Sequence, residues 1–408
     1  MFASNRVRGL ANGIAIDVSG SRSPAHAEPF SSGRGPHMSR SSLKALSLWL
    51  AAVTACLLSS PAGAEPLAYQ MVTVGNSGNA SDTRVGNNTL GRGTVNYSYM
   101  IGKYNVTIGQ YTAFLNAVDP NGTNPNGIYR SSQTLNSIGG ILRTVEASTG
   151  QKYSVIGPVG AIQSPQATAA NRPVTYVTWF SAARFANWMT NGQGGPGTEA
   201  TGAYTLNNQT SGTPPVATPG AAFRLPTTDE WYKAAYYSPN YGGVGVPGYY
   251  AYATQSDTAP GNQIGSAANQ ANWAPDDVYS LTQTGFDYSG EQNYLTDVGA
   301  FSGSGSFYGT FDQSGLVGQL NDLDGTSSAG SLVGVRGGGW GASNPVILSS
   351  SYQNTPIGYD AQSSDVGFRL VSPAIEPVPE IDPAGMGSVL ALVTGALGLL
   401  ERRRLKAT

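Results

Sequence analysis

The stretch from Phe223 to Ala235, FRLPTTDEWYKAA, combines a proline turn with a strong helix start. Thr227 and Glu230 form a capping box, in which each side chain accepts a hydrogen bond from the other residue's backbone. Trp231 and the alanines after it then share one face of the predicted helix. This stretch therefore predicts a short helix whose aromatic face packs into a core.

Two earlier stretches predict helices of the same kind. Asn105 or Thr107 caps a helix that carries an apolar stripe, and a second helix begins near Thr178 within PVTYVTWFSAARFANW, residues 173–188. The predicted inward residues are Ile108, Tyr111, Leu115 and Val118 on the first helix, and Trp179, Ala182, Ala186 and Met189 on the second. Short strands are predicted at 69–75, 94–101, 332–336 and 366–371. Gly- and Asn-rich connections separate these elements, so we expect an α+β fold with little regular structure.

The composition excludes several classes of protein. The 408 residues include 54 glycines, and only 11% are charged, which is far below a coiled coil or helical bundle. A formal net charge of −2 lacks the basic field of a nucleic-acid binder, so no nucleic-acid partner is expected. One cysteine cannot build a disulfide scaffold.

The start of the chain reads as a secretion signal. Residues 38–64 contain basic residues, the apolar run Ala45–Leu58 and an Ala-Gly-Ala cleavage site, which predicts a cut before Glu65. Residues 1–37 then form an upstream extension, from a start codon assigned too early or an unusually long leader. The alternative is a lipoprotein signal ending at Cys56.

The end of the chain, residues 375–408, reads as a sorting or anchor segment. Ala384–Leu400 carries no charge, and a cluster of arginines follows it. Such an arrangement is typical of a segment that stays in a membrane with its arginines on the cytoplasmic side. Together with Pro379-Glu380 it resembles a variant PEP-CTERM sorting signal. We therefore expect a C-terminal hydrophobic helix, contact with the membrane and with the envelope sorting machinery, and a cell-envelope or extracellular location. A plain membrane anchor is the alternative.

The segment between these ends is acidic and lacks two residue types. Residues 65–376 hold 12 lysines and arginines against 19 acidic residues. Both histidines and the cysteine lie upstream of residue 65. This excludes Ser-His-Asp triads, cysteine nucleophiles and metal sites built on histidine or cysteine. Oxygen ligands remain, and they suit calcium.

Four motifs occur in series, and their order and spacing carry a family resemblance. They are PVTYVTWFSAARFANW, FRLPTTDEWYKAA, RGGGW at Arg336–Trp340 and GFRLV at Gly367–Val371. Together they resemble the formylglycine-generating-enzyme (sulfatase-modifying factor) domain family over roughly 69–372. The resemblance implies a single C-type-lectin-like domain, with bounds that we set at 65–374.

The family's enzymes oxidise a sulfatase cysteine through a pair of copper-binding cysteines. The matching positions here are Ala342 and Ile347, so the resemblance implies neither copper nor this oxidation. The ligand pocket by analogy consists of Trp340, Ala342, Asn344, Ile347 and Tyr352.

The resemblance also implies two calcium sites. The first would use the Asp312 and Gln319 side chains with the carbonyls of Gly315 and Val317, with Gln319 replacing the family's glutamate. The second would use Asn272, the Trp273 carbonyl and a later acid, Asp287 or Glu291. Solvated turn acids explain both sets equally well.

These observations predict a non-catalytic, exported binding or scaffold protein whose ligand is a glycan or a peptide. The alternatives are a formylglycine-generating oxidase with an atypical site and a hydrolase using two acids such as Asp297, Asp322 and Asp365. The remaining motif residues suit structural roles. We expect Arg224 to pair with Glu230, and Arg336 and Arg369 to pair with carboxylates such as Asp365.

Overall fold

A computed structural model describes residues 66–84, 89–135, 137–156, 169–282, 288–290, 292–322, 333–352 and 358–374. The predicted extension, signal and tail lie outside these described residues. Within them, no helix has both the length and the apolarity that crossing a bilayer requires.

Among the described residues there are four α-helices, three of which begin where the capping residues predict them. They are α1 (Ile108–Val118), α2 (Ser132–Leu135), α3 (Trp179–Thr190) and α4 (Thr228–Tyr236). Thr107, Thr178 and Thr227 cap α1, α3 and α4, and complete capping boxes occur at α1 and α4. The predicted starts of these three helices are therefore confirmed. Two 3₁₀ turns follow at Pro275–Asp277 and Pro345–Leu348.

In the described ranges, ten short strands pair into four small sheets. In chain order they are β1 (Met71–Val74), β2 (Tyr99–Gly102), β3 (Ile141–Arg143), β4 (Tyr153–Val155), β5 (Tyr237–Ser238), β6 (Gly248–Tyr249), β7 (Gly318–Asp322), β8 (Val333–Arg336), β9 (Val366–Gly367) and β10 (Val371–Pro373). One sheet has the order β1-β2-β10 and is antiparallel. A second has the order β8-β7-β9, with β9 parallel to β7. The pairs β3-β4 and β5-β6 complete the set.

The prediction of one strand over 366–371 is wrong. Val366 pairs with Gly318 in one sheet, whereas Val371 pairs with Ile101 in another. The residues between them, Phe368 to Leu370, are fully buried and connect the two sheets through the core. Local alternation could not reveal this change of sheet because the partners lie far away in sequence.

The main core is aromatic and lies between α1 and α3. Tyr111 and Phe185 stack with ring centroids 6.0 Å apart, and Phe114 meets Phe185 edge to face at 5.4 Å. Every residue from Trp179 to Met189 is buried, so α3 lies inside the protein on all sides rather than on one face. Several of its polar side chains find partners there. For example, Asn187 donates to the carbonyls of Glu199 and Tyr204.

Short helices and strands joined by long loops thus form a mixed fold with little regular secondary structure, as the sequence predicted. The loops are held by their own hydrogen bonds. Asp119, for instance, accepts from the backbone of Thr123 and Asn124 and from the hydroxyl of Tyr153. Buried loop groups satisfied in this way allow irregular backbone to keep one shape.

Candidate functional site

The three glycines of the RGGGW motif each meet a separate steric demand. Gly337 and Gly338 have φ angles of +99° and +69°, in the left-handed region that glycine adopts without strain. Gly339 has no such angle, but a Cβ there would lie 2.9 Å from the Cβ of Asp365. The motif therefore forms a tight turn after β8 that brings the backbone against Asp365.

A cavity of about 670 Å³ opens beside this turn, and we call it the Trp340 cavity. Two segments, residues 338–342 and 361–366, line it together with Gly318, Val335, Ile347 and Tyr352. Of the five pocket residues expected from the sequence, four lie around this cavity. The fifth, Asn344, is exposed and lies outside the lining. Its side chain instead accepts a hydrogen bond from the backbone of Val346 and caps a 3₁₀ turn.

Stacked aromatic rings support one wall of the cavity. The rings of Trp340 and Tyr294 are nearly parallel, at an angle of 6° with centroids 5.1 Å apart. The Trp340 indole also donates a hydrogen bond to the Ser364 carbonyl. Stacking and this hydrogen bond fix the wall before any ligand arrives.

Asp365 is the one charged side chain among the described residues that line the Trp340 cavity. The hydroxyl of Ser363 donates to its carboxylate, and its backbone carbonyl accepts from Gly318 at 2.7 Å. The sequence reasoning did not assign residues 361–366 to the pocket. The available signal was the polar run QSSD, residues 362–365, which ends one residue before the GFRLV motif.

The predicted pairing of Arg336 and Arg369 with Asp365 is wrong, since neither arginine is paired with that carboxylate in the described structure. Arg336 donates to the carbonyls of Ser350 and Tyr352. It thereby holds the backbone of Tyr352 at the cavity. Burial lowers the pKa of Arg336.

Arg369 is fully buried beside the first expected calcium set. Its guanidinium donates to the carbonyls of Gly102 and Phe311 and, through Nε, to Gln319 Oε1 at 2.6 Å. Burial lowers the pKa of Arg369 to about 10, although Tyr69 and Asp312 act in the opposite direction. The arginine therefore links β2, β7 and the loop before β7.

The first calcium set does not fit a calcium ion in this arrangement. Gln319 Oε1 accepts hydrogen bonds from both Trp231 Nε1, at 2.7 Å, and Arg369 Nε, so both of its lone pairs are used. Gln319 Nε2 donates to the Asp312 carbonyl at 2.7 Å. A guanidinium bound to the proposed ligand also repels a divalent cation.

Asp312 and Gly315, also of this set, make contacts that hold the loop before β7 in place. The Asp312 carboxylate accepts from the backbone of Gly299 at 2.7 Å, and burial raises its pKa to about 6. Gly315 lies so close to Asn272 that a Cβ would come within 2.4 Å of the Asn272 carbonyl. That carbonyl accepts from Leu316, so the two expected sets are neighbours in space.

The second calcium set is incomplete within the described residues. Asn272 donates to the Tyr294 carbonyl, and the Trp273 carbonyl accepts from the Ser280 hydroxyl. The two candidate acids, Asp287 and Glu291, lie outside the described residues. No group of three or more acidic, histidine or cysteine side chains with metal-site geometry occurs in the described ranges.

The positions matched to the copper-binding cysteines both line the Trp340 cavity. Ala342 and Ile347 offer only apolar side chains there, and residues 65–376 contain no cysteine or histidine at all. The residues present therefore do not fit a thiolate-bound copper ion. For a hydrolase, Asp365 is the only acid in the described lining, and two acids are needed.

Several solved structures are similar to this chain at low identity. CarF is 18% identical, covering 75% of this chain and 99% of its own, with a TM-score of 0.38. Treponema denticola variable protein 1 is 18% identical, covering 75% and 95%, with a TM-score of 0.41. PvdO from Pseudomonas aeruginosa is 16% identical, covering 76% and 93%, with a TM-score of 0.35.

No curated protein matches the chain. A family model does match it, across the four motifs and both lining segments of the Trp340 cavity. That model describes the sulfatase-modifying factor enzyme 1-like domain and matches residues 65–374. The chain belongs to the sulfatase-modifying factor enzyme 1-like domain family.

Proposed function

We propose that this chain is a non-catalytic binding or scaffold protein that takes its ligand in the Trp340 cavity. The observation that carries the proposal is the pair Ala342 and Ile347, which line a formed cavity at the positions matched to the family's copper ligands. Without thiolates or imidazoles, copper binding and oxygen activation have no ligands from residues 65–376. A cavity of this size and with these walls remains suited to binding.

The ligand is a glycan or a peptide. Trp340 provides an aromatic surface, while Ser363 and Asp365 provide hydrogen-bonding groups in the same lining. Because Asp365 is the one charge in the described lining, the cavity favours a neutral or positively charged ligand over an anion.

The proposal includes export and attachment to the bacterial envelope. It rests on the signal-like pattern of residues 38–64 and the apolar run with terminal arginines in 375–408. Calcium at the set containing Asn272 and Trp273 also remains part of the proposal, with its acidic ligand supplied by Asp287 or Glu291.

A ligand screen with a blocked cavity tests the binding role. The purified full chain is screened against glycan and peptide arrays, and each hit is repeated with Ala342→Phe, which fills the cavity. The control is Ser343→Phe, at the neighbouring exposed position. We expect hits that Ala342→Phe abolishes and Ser343→Phe keeps, with both variants folded by circular dichroism. Blank arrays, or hits insensitive to Ala342→Phe, contradict the proposal.

The second candidate function is a formylglycine-generating oxidase with an atypical site. It is favoured by the family match and by the intact cavity walls. The two candidates differ in one result, since only the oxidase converts a cysteine peptide to an aldehyde.

A further inference from the structure

A second cavity, of about 350 Å³, lies apart from the Trp340 cavity and shares no described lining residue with it. Residues 67–70, 104–105, 107, 109–110 and 170–171 form most of its wall, and Val298 completes it. We call it the Asn105 cavity. Neither the family motifs nor the proposed function uses it.

Asn105 is the unusual residue in this cavity. Its side chain is only 1% exposed, yet neither Nδ2 nor Oδ1 has a hydrogen-bond partner. Sequence reasoning considered it as a helix cap, but Thr107 performs that role and leaves Asn105 free. A buried amide group without a hydrogen-bond partner is destabilising, because it has lost its bonds to water and gained none in return. A ligand that offers a donor and an acceptor side by side would remove this cost.

The lining of the cavity is polar but uncharged. Among its described residues, none is acidic or basic. Carboxamides from Gln70, Asn105, Gln110 and Asn171 share it with the rings of Tyr69 and Tyr104. A charged ligand would lose hydration there without gaining a counter-charge. Amide groups beside aromatic rings instead suit a neutral ligand that has both hydroxyls and an apolar face.

The wall formed by residues 67–70 is held in place by side chains from elsewhere. Gln193 binds both backbone groups of Leu67, accepting from its nitrogen at 2.6 Å and donating to its carbonyl at 3.0 Å. Gln110 donates to the Ala68 carbonyl at 3.0 Å. The Tyr69 hydroxyl donates to the Tyr104 carbonyl and accepts from the backbone of Leu370. A wall fixed in advance lowers the entropy lost on binding.

We propose that the Asn105 cavity is a binding site for a neutral saccharide. Two neighbouring hydroxyls of one sugar ring meet the Asn105 amide, one accepting from Nδ2 and the other donating to Oδ1. The apolar face of the ring lies against Tyr104 or Tyr69. The volume of the cavity accommodates one or two sugar units.

The test is a titration of the full chain with neutral mono- and disaccharides, namely glucose, galactose, mannose, N-acetylglucosamine and their β-linked dimers. Saturation-transfer NMR and calorimetry are run in 50 mM and 500 mM NaCl. At least one sugar is expected to bind, with equal affinity at both salt concentrations because the lining is uncharged. No binding by any of these sugars overturns the proposal.

Asn105→Leu is the decisive variant. It removes both amide atoms at similar size, so the proposal predicts at least a tenfold loss of sugar affinity with thermal stability kept or raised. Asn105→Ala serves as a second variant should leucine disturb folding, with the same expected loss of affinity. Binding that persists in a folded Asn105 variant contradicts the proposal.

A matched variant separates this site from the Trp340 cavity. Ala342→Phe, which fills that cavity, should leave sugar binding at Asn105 unchanged. Sugar binding lost in Ala342→Phe but kept in Asn105→Leu would assign the sugar to the Trp340 cavity and overturn this inference, while supporting the proposed function. The two proposals therefore fail separately.

Discussion

The Arg224 guanidinium and the Glu230 carboxylate form a two-pronged ion pair, with Nη1 2.7 Å from Oε2 and Nη2 2.5 Å from Oε1. Glu230 is fully buried at the start of α4, where it also accepts from the backbone of Thr227. Burial alone would raise the pKa of Glu230, but Arg224 outweighs it and the pKa is lowered. One carboxylate thus fixes the helix start and the FRLP turn together.

Glu230→Gln is therefore expected to lower the free energy of unfolding by about 3–5 kcal/mol, because it leaves the largely buried Arg224 without its counter-charge. Urea unfolding followed by tryptophan fluorescence measures the change. Glu146→Gln, at an exposed carboxylate, serves as the control and should lie within about 0.5 kcal/mol of wild type. A loss for Glu230→Gln no larger than the control would show that the pair is unimportant.

Asp312 should give the protein a distinct dependence on pH. Burial raises the pKa of Asp312 from 3.8 to about 6, so the folded state holds more protons than the unfolded state between these values. The contribution of Asp312 to stability is then fully present below about pH 4 and is lost as pH rises through 6. The size of this loss is about 3 kcal/mol.

Unfolding of Asp312→Asn across pH 4–7 tests this prediction. The variant should lack the part of the wild-type slope that Asp312 causes, whereas Asp360→Asn, at an exposed position, should retain it. Identical slopes in wild type and Asp312→Asn would refute the assignment.

Calcium binding should not depend on Asp312. Gln319 is occupied by Trp231 and Arg369, so any calcium that binds does so elsewhere, as at the set containing Asn272. Calorimetric titration with CaCl₂ after EGTA treatment is expected to give the same number of sites for wild type and Asp312→Asn. The loss of one site in Asp312→Asn would show that the first calcium set does bind calcium.

Gly339→Ala is expected to disturb the Trp340 cavity. The added methyl would lie 2.9 Å from the Asp365 Cβ, so the turn and Asp365 must move apart, at a cost of about 1–3 kcal/mol in stability. Binding of any ligand found in the arrays should weaken in parallel. Gly341→Ala is the matched control, since its added methyl meets no atom within 4 Å and should change neither quantity. Equal effects from both variants would contradict this role for Gly339.

Structural features that depend on residues close together in sequence could be predicted. Thr107, Thr178 and Thr227 predict the starts of their helices correctly, because each cap accepts from a backbone nitrogen only three residues later. Ala342, Ile347 and Tyr352 line one cavity with Trp340, because they follow it closely along the chain, whereas Asn344 lies outside the lining.

Features that depend on distant partners were not predictable in this way. Arg369 binds carbonyls of Gly102 and Phe311, and a sequence does not show which carbonyls a buried arginine will reach. The change of sheet between Val366 and Val371 was equally hidden, because their strand partners, Gly318 and Ile101, lie far away in sequence. The free amide of Asn105 emerges only once Thr107 is seen to cap the helix.

We propose that this family member keeps the fold without the oxidase chemistry. The most direct test incubates the full chain with a sulfatase-type cysteine peptide, copper and oxygen, and follows the peptide by mass spectrometry. An active formylglycine-generating enzyme serves as the positive control. With this chain the peptide should remain unchanged, because Ala342 and Ile347 occupy the positions matched to the copper ligands. Repeated turnover of the peptide to its aldehyde would contradict it.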